Sequence, residues 1–321
     1  LGDTALDSVQ TGGDNNVAIG SASGSDITTG DNNTAVGRNS LRSATTGHSN
    51  VALGTSTLCK NVTGTRNTAI GLSALFNTLE DSNTAIGTSA MAANTTGEFN
   101  VAVGDNALTS NTTADNNTAV GYKSLEDNTT GDGSTAVGLC SLTANTTGGA
   151  NSAFGYQSLV ANTTGHSHTA VGYRALCSNS TGCYNVGLGK EALAKNTSAD
   201  NNTAVGYRSL ACNTTGTNNV AVGNNSLKTQ TTADGNTAVG TDTLCTITSG
   251  AGGNTAVGQK ALEDDTTGFY NTAVGSLSLC QNTEGACNVA IGREALRNNT
   301  TASNNTAVGK DALNANTTAS N

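Results

Sequence analysis

Residues 117–150 read N-T-A-V-G-Y-K-S-L-E-D-N-T-T-G-D-G followed by S-T-A-V-G-L-C-S-L-T-A-N-T-T-G-G-A, the same 17-residue sentence written twice. Working outward in both directions, the sentence recurs without a break. Units start at Asn16, Asn33, Asn50, Asn67, Asn83, Asn100, Asn117, Ser134, Asn151, His168, Asn185, Asn202, Asn219, Asn236, Asn254, Asn271, Asn288 and Asn305. All intervals are 17 except the 16 from Asn67 and the 18 from Asn236. A fixed period of this length is the mark of a repeat architecture in which each unit packs on its neighbours.

Numbering each unit from zero shows what is held constant. Position four is Gly in all eighteen units, from Gly20 to Gly309. Position three is aliphatic except for Phe154, position eight is Leu except for Met91 and Gly24, and position two is Ala except for Gly187. Position seven is always Ala, Ser or Thr, and position zero is Asn except for Ser134 and His168. A helix would need apolar residues three and four apart over ten or more residues. Instead, short apolar runs such as T-A-V and A-L are cut by Gly and by a polar N-T-T-G tract, which reads as short strands and turns. The expected fold is all-β: a β-solenoid, or parallel β-roll, of about 18–19 coils with 17-residue repeats. One continuous array spans residues 1–321, opening and closing in mid-pattern like a segment of a longer fibre. With coils ~4.8 Å apart, eighteen would extend on the order of 90 Å. Val at three and Leu at eight are expected to fill the interior, Gly at four to turn a corner, and Asn at zero to stack into a ladder. A hexapeptide helix would show its aliphatic-Gly pair three times per coil; here V-G occurs once.

Composition limits the functional classes. There are 40 Gly, no Pro, no Trp and 3% aromatic residues, which suits a thin core of Ala, Val and Leu. The net charge is -9 with no basic stripe, which argues against nucleic acid as a partner. No apolar run approaches the ~20 residues of a membrane span. Two aliphatic side chains per coil do not offset the ordering of 17 residues, so stability must come from many coils and their backbone pairing. In a strand, positions two and three face opposite ways, yet both are apolar. The second face is therefore expected to pack against another copy, in a trimer or bundle.

The N-T-A-V-G and N-V-A-I-G runs, as at Asn33–Gly37 and Asn288–Gly292, resemble the head repeats of trimeric autotransporter adhesins, which have a related N-S-x-A-I-G core in shorter units. Similar repeats occur in phage and viral tail-fibre-like proteins and in extracellular fibres. The resemblance covers the whole chain and implies a parallel β-roll packed as a trimer in a surface fibre or adhesin. The extra residues here fall in the N-T-T-G turn.

That turn carries N-x-[S/T] tripeptides, the acceptors for N-linked glycans. They recur at position eleven: Asn61, Asn94, Asn111, Asn128, Asn145, Asn162, Asn179, Asn196, Asn213, Asn299 and Asn316. Others lie at Asn32, Asn116, Asn201, Asn224, Asn298 and Asn304. An Asn/Thr-rich turn also generates such tripeptides by composition alone, but the run from Asn94 to Asn213, spaced by 17 before the register lapses at Gln230, favours a sugar-coated stripe. Eight Cys in a secreted chain suggest disulfides, with Cys177–Cys183 and Cys280–Cys287 each clasping one turn. Cys59, Cys140, Cys212 and Cys245 lie in non-adjacent coils, beyond disulfide reach of one another, and are read as core-like thiols or bridges to other chains.

No constellation points to an enzyme. The three His are scattered, with His168 standing in the Asn column, and no C-x-x-C pair supports zinc. Glu263, Asp264 and Asp265 read as a solvated acidic turn. Tyr122, Tyr156, Tyr173 and Tyr207 share position five beside the Gly corner, as cover for neighbouring coils or a stacking platform for sugars. The first functional expectation is a structural subunit of a glycosylated extracellular or cell-surface fibre, self-associating, with no cofactor, metal or catalytic residue. The alternatives are an adhesin or tail-fibre shaft whose binding tip lies outside this segment, and an ice-binding solenoid with Thr ladders.

Overall fold

The computed structural model describes residues 2–8, 13–248 and 250–320. Among these, all regular structure is β: eighteen strands of three residues each, paired in parallel. Contacts divide the chain into two compact units, Leu1–Thr164 and Gly165–Asn321, and each is a parallel β-solenoid. The N-terminal unit holds nine strands from β1 (Val17–Ile19) to β9 (Ser152–Phe154), and the C-terminal unit nine from β10 (Thr169–Val171) to β18 (Thr306–Val308). Each pairing joins equivalent positions: Ala102 lies against Ala119, and Ala204 against Ala221. The stack of equivalent 17-mers expected from the sequence is thus realised within each unit.

The side chains do not face the way the sequence suggests. Within every strand the middle residue is buried and its two neighbours are not. Ala at position two is the inward residue, and Val at three points outward with Thr or Val at one. The interior is so thin that only a methyl fits opposite the Leu column. At Gly187, the one exception, an added Cβ would lie 3.3 Å from the Leu176 side chain of the preceding coil. The expectation that Val at three fills the core is therefore corrected. Leu at eight, by contrast, is fully buried from Leu41 to Leu296.

Gly at four does turn the corner. Its φ lies between +126° and +142°, and at Gly121 a Cβ would stand 2.5 Å from the carbonyl oxygen of Gly138 in the next coil. Three further positions per coil take left-handed backbone without glycine's freedom. Position six, from Ala22 to Asp311, and position sixteen, where Ser49, Phe99 and Tyr184 stand, have φ near +55° to +60°; Leu at eight has +46° to +54°. Each such residue costs about 1–2 kcal/mol in isolation. Alternating the sign of φ across positions six to eight turns peptide groups along the stacking direction, and neighbouring coils then satisfy them. Asn106 N–H donates back to Thr88 O at 3.0 Å, whereas Leu108 N–H donates forward to Ser124 O at 3.0 Å. Hydrogen bonding between coils therefore runs round the turns as well as through the strands.

The irregular coils keep this scheme by changing length in one place. In the 16-residue coil the Asn67 amide reaches Glu80 O, 13 residues on; in the 18-residue coil Asn236 reaches Ala251 O, 15 residues on. Regular coils use 14, as in Asn33 to Gly47. The tract after position eleven absorbs the difference and the strands stay in phase.

Candidate functional site

Two columns of asparagine line the interior. At position zero the side-chain oxygen accepts the backbone N–H of the next coil's Asn, as from Asn50 to Asn33 at 3.0 Å, while the amide crosses its own coil to position fourteen. At position eleven the amide donates twice. Asn111 Nδ2 reaches Ala114 O at 3.0 Å and Asn94 Oδ1 of the preceding coil at 2.8 Å; Asn145 does the same with Gly148 O at 2.8 Å and Asn128 Oδ1 at 2.7 Å. The expected ladder at zero is present, and the second one was not foreseen.

The second column contains the expected glycan acceptors. Asn61, Asn94, Asn111, Asn128, Asn145, Asn162, Asn179, Asn196, Asn213 and Asn299 are fully buried, and only Asn316 in the last coil is half-exposed. A glycan replaces an Nδ2 hydrogen and needs an exit to solvent. At Asn111 and Asn145 both hydrogens point at protein oxygens, so a sugar there would have to displace the ladder. The ladder accounts for Asn at eleven in twelve of the eighteen coils, and Thr at thirteen lies exposed in the outer turn. The exposed sequons are Asn32, Asn116, Asn201 and Asn304, all at position sixteen, together with Asn224, while Asn298 and Asn316 are half-buried.

The expected clasp disulfides are not seen in this structure. All eight cysteines are free thiols. Cys177 is buried with its Sγ donating to Ala194 O of the next coil at 3.3 Å, whereas Cys183 turns to Thr181 O at 3.5 Å. Cys280 lies 3.6 Å from Glu263 Oε2, while Cys287 is exposed at position sixteen. Members of each pair thus face different neighbours. Cys59, Cys140, Cys212 and Cys245 are buried or half-buried, each alone.

Two titratable groups are set into the asparagine columns. His168 replaces Asn at zero; its Nδ1 accepts the Asn185 N–H at 3.2 Å and its Nε2 donates to Gly182 O at 2.6 Å. Burial lowers its pKa to about 4, so it stands neutral. Asp265 replaces Asn at eleven and is fully buried, in contrast to the solvated turn expected; Asp264 beside it is exposed. Its Oδ1 accepts Gly268 N–H at 2.8 Å, and its Oδ2 has no acceptor or donor partner. Burial pushes this carboxyl up to about 7. The protonated acid keeps the acceptor of an asparagine at Oδ1 but leaves the donor side of the column unmade. No group of three or more His, Cys, Asp or Glu that could hold a metal occurs among the described residues.

The outward face of the strands is the broadest candidate surface. Position one carries Thr, Val or a single Ser, and position three Val, Ile, Leu or Phe154; neither bears a charge in any coil. Ile19 is 51% exposed and Leu53 46% in the N-terminal unit; Ile291 is 41% exposed in the C-terminal unit. Equivalent side chains repeat at the ~4.8 Å coil spacing, with the two columns ~6.6 Å apart along the strand. Apolar patches larger than a few hundred Å² are uncommon on soluble monomers and mark contact surfaces. No protein-family model matches the chain, and no curated protein is similar to it by sequence. Among the described residues, no helix is long and apolar enough to cross a membrane.

Proposed function

We propose that this chain is a structural subunit of an extracellular or cell-surface fibre, and that the outward strand face joins it to further copies of itself. The charge-free, β-branched columns at positions one and three are the observation that carries this reading. Interfaces lose charge at their centre and gain apolar side chains, and a repetitive face lets one contact recur at every coil. Constant coil length supports a structural role over a catalytic one, because no inserted loop gathers acids or nucleophiles. Sedimentation velocity on the full chain tests the proposal. The native chain is expected to sediment as a discrete oligomer. Val120→Lys with Val137→Lys, on the outer face, is expected to give monomers with unchanged strand signal. A native chain that stays monomeric at high concentration would refute self-association through this face.

One observation favours a second reading, ice binding. Thr at position one stands on the strand beside Val at three, so a regular two-column array of β-branched side chains faces solvent. A thermal hysteresis assay separates the two: activity lost on Thr118→Lys would support ice binding, and none at millimolar protein would remove it.

A further inference from the structure

The C-terminal unit carries a cleft with a character opposite to the rest of the chain. Residues 168–218 hold four cations (Arg174, Lys190, Lys195, Arg208) against two acids (Glu191, Asp200), a net of +2 in a protein of net -9. A depression of about 320 Å³ is lined by Arg174, Lys195, Arg208 and Glu191 over the floor of Cys177 and Ala194. The position-five column stands one residue before each of the position-six residues that line it, and there Lys190 Nζ lies 5.6 Å from the Tyr173 ring centre and 5.7 Å from that of Tyr207. Both tyrosines are more than 40% exposed.

The order of charges is informative. Position six reads Arg174, Glu191, Arg208 through three successive coils. Arg208 Nε lies 3.4 Å from Glu191 Oε2, but without an aligned hydrogen bond, and Lys190 is 4.0 Å from the same carboxylate. Among the described residues no carboxylate lies within 4.0 Å of Arg174 or Lys195. Two guanidinium groups two coils apart, about 10 Å along the stack, suit two anions separated by a neutral segment. Glu191 between them accepts hydroxyl hydrogens and repels a third anion. The tyrosine rings, at the same two-coil spacing with Lys190 between them, offer aromatic surface for sugar rings once the lysine swings aside.

We propose that the cleft of Arg174, Lys195 and Arg208, with Tyr173 and Tyr207 one residue before its arginines, binds an acidic polysaccharide that carries a carboxylate on every second ring. The arginines take the carboxylates in fork geometry, Glu191 takes hydroxyls of the intervening ring, and the tyrosines stack on the sugar faces. A single-stranded nucleic acid, with a phosphate at every residue, would set one against Glu191.

A labelled hyaluronan oligosaccharide, with one carboxylate per disaccharide, tests this on the full chain by fluorescence anisotropy. Binding is expected, weakening as salt rises. Arg174→Gln and Arg208→Gln should each weaken it about tenfold, and the Tyr173→Ala, Tyr207→Ala pair by a similar factor. Lys195→Gln, at an exposed position, provides a second charge-removing variant if an arginine change disturbs the coil. Three results would overturn the proposal: no binding by the native chain, full binding by folded arginine and Lys195 variants, or equal binding of neutral dextran or single-stranded DNA.

Discussion

Replacing Asp265 by Asn isolates the energetic meaning of a buried acid in an amide column. The substitution keeps shape and restores the donor that the eleven buried asparagines of this column supply. In the folded chain burial holds the carboxyl near 7, while in the unfolded chain it titrates near its ordinary 3.8. Below 3.8 both states are protonated and the native acid and the amide are nearly equivalent. Between 3.8 and 7 only the unfolded state loses its proton, so native stability falls as pH rises, by 1.36 kcal/mol per unit. Above 7 the loss is complete, at about 4 kcal/mol as an upper bound for the coil that contains it. No opposing charge lowers this figure: the neighbours in the column are Ile247 and Asn282, and the remaining influences are the hydrogen bonds from Gly268, Thr266 and Asn282. Because a solenoid can open locally, the sensitive assay is amide hydrogen exchange across residues 254–287, comparing the two proteins at the same pH. Asp265→Asn is expected to slow exchange there by up to about a thousandfold at pH 8, and not at all near pH 3.5. Equal exchange at pH 8 would show that Asp265 is solvated or paired, and the column argument would fail.

Four further outcomes follow from the same geometry. His168 has the opposite sign: its folded pKa of about 4 lies below the ordinary 6.5, so stability falls as pH drops through that window by about 3 kcal/mol, and His168→Asn should abolish the sensitivity in denaturant titrations. Gly121→Ala places a Cβ 2.5 Å from the Gly138 oxygen and should destabilise the local coil on the order of 3 kcal/mol, read as a lower denaturant midpoint. Gln157→Gly relieves a left-handed residue at φ +53°; strain relief of about 1–2 kcal/mol less the added chain entropy leaves a gain of about 0.5–1 kcal/mol in the same assay. When the chain is made in a glycosylating host, peptide mass mapping should place sugars on Asn32, Asn116, Asn201 or Asn304, and folded protein should carry none at Asn111, Asn145 or Asn213.

What the sequence disclosed was the period, and from it the parallel stack, the Gly121-type corner and the Asn50-type ladder, because each depends on one residue type recurring at one place. What it hid was direction. Ala119 and Val120 are both apolar, and side-chain size favours the larger as core; only the narrow separation of the walls, set by Leu125 in a left-handed conformation, decides for alanine. Left-handed backbone is itself invisible at positions where Lys123, Phe99 or Tyr184 stands, since these residues carry no signature of positive φ. The sequons at Asn128 and Asn145 are ambiguous for a related reason. A buried amide ladder and a glycan acceptor demand the same residue, and the Thr one place on bonds the next coil while the exposed Thr two places on completes the tripeptide. The cleft at Arg174 and Arg208 could have been found earlier by reading columns 17 apart in place of neighbours along the chain, which sets Tyr173, Lys190 and Tyr207 side by side.

Methyl NMR on selectively labelled protein addresses the inside-out order of the columns directly. Contacts are expected among the Leu108, Leu125 and Leu142 methyls and between these and the Ala102, Ala119 and Ala136 methyls, with none from Leu125 to Val120. Cross-peaks joining the position-three valines to the position-eight leucines, with the alanine methyls outside that network, would contradict the account.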